Sequence, residues 1–123
     1  MHALRISLVT LVAVEHLLFL VFEMFLWNTP RIRRAFGTTE EFARTSKALA
    51  ANQGLYNGFL AMGLLWSLSP STASFATKLQ VFFLSCVLVA AIFGAVTAKR
   101  SILVVQGTPA ALALAAVLAD TAG

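Results

Sequence analysis

Residues 6–27 read ISLVTLVAVEHLLFLVFEMFLW, an apolar run that as a helix rising about 1.5 Å per residue spans the ~30 Å of a bilayer's hydrocarbon. Three ionisable side chains lie inside it: Glu15, His16 and Glu23. Each costs about 2.5–3.5 kcal/mol at mid-membrane depth on insertion scales, so such groups are expected to face protein or water and to have a function. The run is expected to stay as a helix rather than be cleaved as a leader. It carries two glutamates, and Trp27-Asn28-Thr29-Pro30 follows it without a small-residue cleavage pattern.

Working outward, the composition agrees with a membrane setting. Of 123 residues 59% are hydrophobic and 11% charged, and the mean hydropathy is +0.87. A soluble domain of this size keeps too much of its surface exposed to hide that much apolar area. The length fits one domain, residues 1–123. The net charge of +4 is modest, and the basic residues cluster beside apolar segments, which suits lipid headgroups and topology rather than nucleic acid. A lone cysteine, Cys86, excludes an intrachain disulfide and reads as a packing residue.

Four runs are long enough to span, at about 6–27, 49–68, 75–98 and 102–119. Four spans cannot close a barrel, and backbone groups in lipid need internal partners, so the expected fold is all-α: four transmembrane helices in an antiparallel bundle. Of the nine Lys and Arg residues, all but Arg5 and Lys78 fall in the first and third connections, as Arg31, Arg33, Arg34, Arg44, Lys47, Lys99 and Arg100. The positive-inside rule then places those connections in the cytoplasm and both termini outside, in the cell (inner) membrane.

The first connection, residues 28–48, is expected to contain a helical extension. Thr38 and Glu41 have capping-box spacing, and no breaker separates Glu41 from Leu49. Its simplest role is a solvated charged face; a headgroup-binding or gating element built on Arg31, Arg33 and Arg34 is the sharper alternative.

The topology brings the polar residues of three helices to similar depth. Glu15 and His16 lie near the middle of the first span, with Glu23 nearer the cytoplasm. Asn52, Gln53, Tyr56 and Asn57 climb the second span from that side, and Gln106 enters on the fourth. At about 100° per residue, one helix face holds Glu15, His16 and Glu23. Gly54 and Gly58 have the spacing that lets a neighbouring helix backbone approach closely. Pro109 leaves the Val105 carbonyl without its helical donor, to be either relieved by a kink or turned into a polar wall of the cavity.

Glu15-His16, Glu23-Met24-Phe25-Leu26-Trp27, Asn52-Gln53-Gly54-Leu55-Tyr56-Asn57-Gly58-Phe59-Leu60 and Val105-Gln106-Gly107 before Pro109 closely resemble the small bacterial membrane proteins of domain of unknown function 1304. The resemblance covers nearly the whole chain and departs only in the alanine-rich tail. It implies four membrane helices and no activity.

The chemistry these residues can support is narrower than their number suggests. Glu-x-x-His pairs on facing helices, phosphate loops and nucleophilic triads are absent, so neither metal nor cofactor is expected. The reading that follows is an intramembrane pocket, lined by Glu15, His16, Glu23, Asn52, Gln53, Tyr56, Asn57 and Gln106, that binds or moves a small polar or cationic ligand with a Glu/His proton relay. The alternative is an intramembrane enzyme in which Glu15, His16 or Glu23 provides acid–base catalysis on a lipophilic small molecule. A third reading leaves the cluster to pin the bundle. The bilayer and an unidentified small molecule are the expected partners, with a homodimer through the small-residue faces Ala90-Ala91 and Gly94-Ala95.

Overall fold

Long apolar runs with few breakers leave the backbone one economical way to satisfy its own hydrogen bonds, and the chain is helical almost throughout. The computed structural model describes residues 1–123. Six α-helices follow in order: α1 His2–Phe25, α2 Pro30–Phe36, α3 Glu40–Thr45, α4 Lys47–Trp66, α5 Ala76–Thr97 and α6 Thr108–Ala122. A 3₁₀ turn, Pro70–Thr72, precedes α5, and a π-helical turn, Leu103–Gly107, leads into α6. Three stretches are long and apolar enough to cross a membrane: His2–Phe25, Ala76–Thr97 and Leu103–Ala122. α4 has the length, at 20 residues, but Asn52, Gln53, Tyr56 and Asn57 dilute its apolar character and it is not among them.

The chain divides into two compact units. The first comprises Met1–Val14 and Leu60–Gly123. Its core draws on four helices: Val9, Val12 and Ala13 from α1, Leu64 from α4, Leu84 and Val87 from α5, and Ala110, Ala113 and Val117 from α6. Small residues let α5 pack closely on the segment before α6. A side chain at Gly94 would lie 3.2 Å from Ile102, and one at Gly107 3.4 Å from Ala91. Ala91 is buried, so part of the small-residue face expected to join two copies packs within the chain, while Ala90 stays exposed. The irregularity before α6 is a widened turn: the Thr108 N–H bonds the Leu103 carbonyl, five residues back. Pro109, in the first turn of α6, has no N–H to offer Val105, and the π turn is how the backbone takes up that missing donor.

The second unit is Glu15–Phe59. α1 ends at Phe25, where the Thr29 hydroxyl bonds the Leu26 carbonyl at 2.7 Å. Pro30 opens α2 at a position where its fixed φ suits a helix and its missing N–H costs nothing. α2 stops at Gly37, whose φ of 68° is open to glycine at little cost. Two local expectations need correction here. The cap of α3 is Thr39 rather than Thr38: its hydroxyl accepts from the Phe42 N–H at 3.1 Å, leaving Glu40 and Glu41 in the first turn. The helix does not run unbroken from Glu41 into the second span, because Ser46 interrupts it. The Ser46 hydroxyl donates to the Phe42 carbonyl at 2.6 Å and accepts from Trp27 Nε1 at 3.0 Å, a local competition with the helix ladder that serine is suited to.

Candidate functional site

Within the second unit the site begins with two absent side chains. A Cβ on Gly54 would come 2.9 Å from Met24 Cγ, 3.0 Å from Glu23 Cβ and 3.2 Å from the Leu20 carbonyl oxygen. A Cβ on Gly58 would come 2.5 Å from Leu20 Cδ1. The glycine pair therefore does what its spacing suggests: it lets the second half of α1 lie directly on α4. Close approach brings Glu23 and Asn57 together between the two backbones. The Asn57 amide donates to both carboxylate oxygens, at 3.3 Å to Oε1 and 3.4 Å to Oε2. Both residues are buried, Glu23 with 4% of its surface exposed and Asn57 with 9%.

The other α1 residues lie further toward the N-terminus. His16 is buried at 1% exposure, with its ring edge-on to Phe19 at a centroid distance of 5.4 Å. Glu15 is half-buried, and its Oε2 is enclosed without a hydrogen-bond partner. Asn52, Gln53 and Tyr56 are exposed on α4, and the Tyr56 ring packs edge-on against Phe59. Gln106 lies in the π turn of the first unit and is half-buried. Of the polar residues singled out in the sequence, then, the structure joins Glu23 to Asn57, buries His16 and half-buries Glu15. No three His, Cys, Asp or Glu side chains gather where they could hold a metal ion.

The first unit contains a polar cluster that sequence reasoning missed. Arg5, read there only as a topology signal, is buried. Its Nε donates to Gln80 Oε1 at 2.7 Å, one terminal nitrogen donates to Thr77 Oγ1 at 2.9 Å and the other to Asp120 Oδ2 at 3.2 Å. His2 Nδ1 lies 3.3 Å from the same Asp120 oxygen. The signal was present: Arg5 starts one span, Thr77 and Gln80 start another, and Asp120 ends a third, so the expected topology already placed them at one level. The arginine's fan of donors is matched by acceptors, as a clamp joining α1, α5 and α6 requires.

Three apolar helices of membrane length, with a carboxylate of one of them buried against an amide of the more polar α4, define a class of helical protein but not a reaction. Within that class the chain belongs to the family described as "Protein of unknown function (DUF1304)", whose model matches residues 10–118. The resemblance carried by the block Asn52–Leu60 is thereby borne out. The chain is also similar to the uncharacterized protein YpaA of Lactococcus lactis subsp. lactis (strain IL1403), at 33% identity over 116 residues, covering 93% of this chain and 96% of that protein. No solved structure matches it.

Proposed function

We propose that this chain is an integral protein of the cell (inner) membrane, with four transmembrane helices in an antiparallel bundle and both termini outside, that binds or moves a small polar or cationic ligand. The observation that carries the reading is the Glu23–Asn57 pair. A carboxylate withdrawn from water is stable only with a proton or a cation beside it, and an amide supplies neither. Asn57 orients the carboxylate and leaves that requirement open. Glu15, with a buried unpartnered oxygen, and the buried His16 on the same half of α1 supply further groups for a proton relay.

The second of the four spans, α4, is supported by the same pair. Its buried stripe runs Ala50, Gly54, Asn57, Gly58, Ala61, so one of its three amides turns to Glu23 and away from lipid. Asn52, Gln53 and Tyr56 carry hydrogen-bonding groups on an exposed face that hydrocarbon cannot satisfy. A second copy of the chain can, since amides are both donors and acceptors; the homodimer is proposed through this face.

A proton and a cation compete for the same carboxylate, so lowering the pH should weaken binding. Equilibrium dialysis of purified protein against sodium, ammonium, guanidinium and tetramethylammonium tests this. The expected result is pH-dependent binding of at least one cation, lost in Glu15→Gln. Binding independent of pH and unchanged in that variant would overturn the reading.

A further inference from the structure

Where α1 ends and α2 begins, the second unit holds a half-open groove of about 500 Å³ lined by Phe22, Leu26, Thr29, Arg31, Ile32 and Ala35. That volume falls within the roughly 300–1,000 Å³ of small-molecule sites. Its floor is apolar. Phe22 lies in the last turn of α1 and Leu26, whose N–H bonds the Phe22 carbonyl, just past its end, while Ile32 and Ala35 are one turn apart on α2. Thr29 gives its hydroxyl proton to the Leu26 carbonyl, which leaves little polar character inside the groove.

The rim is different. Arg31 lines the groove and is exposed, and Arg34, its i,i+3 neighbour, is exposed beside it. Between them in sequence, Arg33 has its Nε enclosed without a hydrogen-bond partner. The carboxylates of this segment, Glu40 and Glu41, belong to α3 and are not part of the lining. Trp27, at the same turn of the chain, packs edge-on against Phe36 and is held through its indole N–H by Ser46. Tryptophan with that arrangement suits the level of lipid headgroups.

From this juxtaposition of an apolar groove with Arg31 at its rim and the exposed Arg34 one turn further along α2, we infer that the α1–α2 groove is a binding site for one anionic phospholipid of the bilayer. An acyl chain lies against Phe22, Leu26, Ile32 and Ala35, and the Arg31 and Arg34 guanidiniums flank its phosphate. An uncharged apolar ligand leaves the arginines without a role, and a free anion leaves the groove unfilled; a phospholipid answers both. The inference rests on the membrane reading above.

The test reads lipid retention by native mass spectrometry, with the full chain taken from vesicles containing phosphatidylglycerol and phosphatidylcholine of identical acyl chains. Phosphatidylglycerol should be retained about fivefold or more over phosphatidylcholine, the factor that one basic contact to an anionic lipid is worth. Arg31→Gln should abolish that preference, Ala35→Phe should reduce retention of both lipids, and Lys99→Gln should change neither. Arg31→Gln alters an exposed side chain, so it carries the test even where Ala35→Phe fails to fold. Equal retention of the two lipids, an equal effect of Lys99→Gln, or displacement of the lipid by inorganic phosphate would overturn the site. Flotation of the wild type with pure phosphatidylcholine vesicles separates the two failures: a chain that floats without lipid preference loses only this site, whereas one that does not float loses the membrane reading as well.

Discussion

Glu23 and Asn57 divide the work of one buried contact unequally. At 3.3 and 3.4 Å both hydrogen bonds are long, so neither contributes at the upper end of the range for a charged acceptor. The larger quantity is what their loss would strand. Asn57→Leu removes the donor and leaves the carboxylate enclosed, which should lower stability by about 1–3 kcal/mol, read as an earlier thermal unfolding transition in detergent. Glu23→Gln keeps a hydrogen-bonding partner for Asn57 and removes a charge that is costly to bury, so it should unfold no earlier than the wild type. If Glu23→Gln proved the less stable of the two, the pair would be a structural pin and not a site. Sequence alone brought Glu23 and Asn57 into one candidate cluster because depth along a helix can be counted. It could not show that Asn52 and Tyr56 face outward, because both belong to the same polar block and the burial of a helix face is set by its neighbours.

At the scale of the elements, the contact of α1 with α4 depends on what a methyl group would strike. At Gly54 the nearest obstacle, the Met24 side chain, can rotate away, but the Glu23 Cβ and the Leu20 backbone carbonyl cannot move far without moving α1. At Gly58 the obstacle is the tip of the Leu20 side chain, which can rotate away. Gly54→Ala should therefore cost about 1–3 kcal/mol through overpacking, more than the helix propensity it gains. Gly58→Ala should be close to neutral, because relief of glycine's roughly 0.8–1.0 kcal/mol helix penalty offsets the displaced leucine. Thermal unfolding of the two variants side by side checks this, and equal losses would mean that the helices do not meet as described. The long helices were legible from sequence, since apolar length is a strong signal; their ends fall within a few residues of expectation. The break at Ser46 was not. Nothing between Glu41 and Leu49 forbids a helix, and the interruption comes from a serine hydroxyl held by Trp27, a contact distant in sequence. The π turn before α6 was half legible: Pro109 announced a missing donor, but the kink named as one way to relieve it is replaced by a widened turn.

For the whole molecule, cysteine chemistry tests both orientation and association. The single native thiol, Cys86, can be removed as Cys86→Ser before others are introduced. If both termini lie outside, as proposed, Ser71→Cys should react with an impermeant maleimide on intact cells, and Thr39→Cys should react only after permeabilisation. In the same background Asn52→Cys should cross-link to its copy under mild oxidation if the exposed face of α4 joins two protomers. Reversed labelling of Ser71→Cys and Thr39→Cys would invert the topology, and a monomer that never cross-links would leave that face to lipid. The Arg5 clamp also belongs to this scale, since it ties the starts of α1 and α5 to the end of α6. Its residues lie far apart in sequence, which is why a linear reading treated Arg5 as one charge in a topology count.

The central claim is that the carboxylates of α1 form a ligand site and not merely a packing device. Native mass spectrometry of wild type, Glu15→Gln and Glu23→Gln, purified together in mild detergent, tests it most directly. A small-molecule adduct of defined mass on the wild type, absent from both variants while their unfolding temperatures stay at or above the wild-type value, is the predicted result. Identical spectra for all three proteins, with no adduct and with both variants less stable, would contradict it.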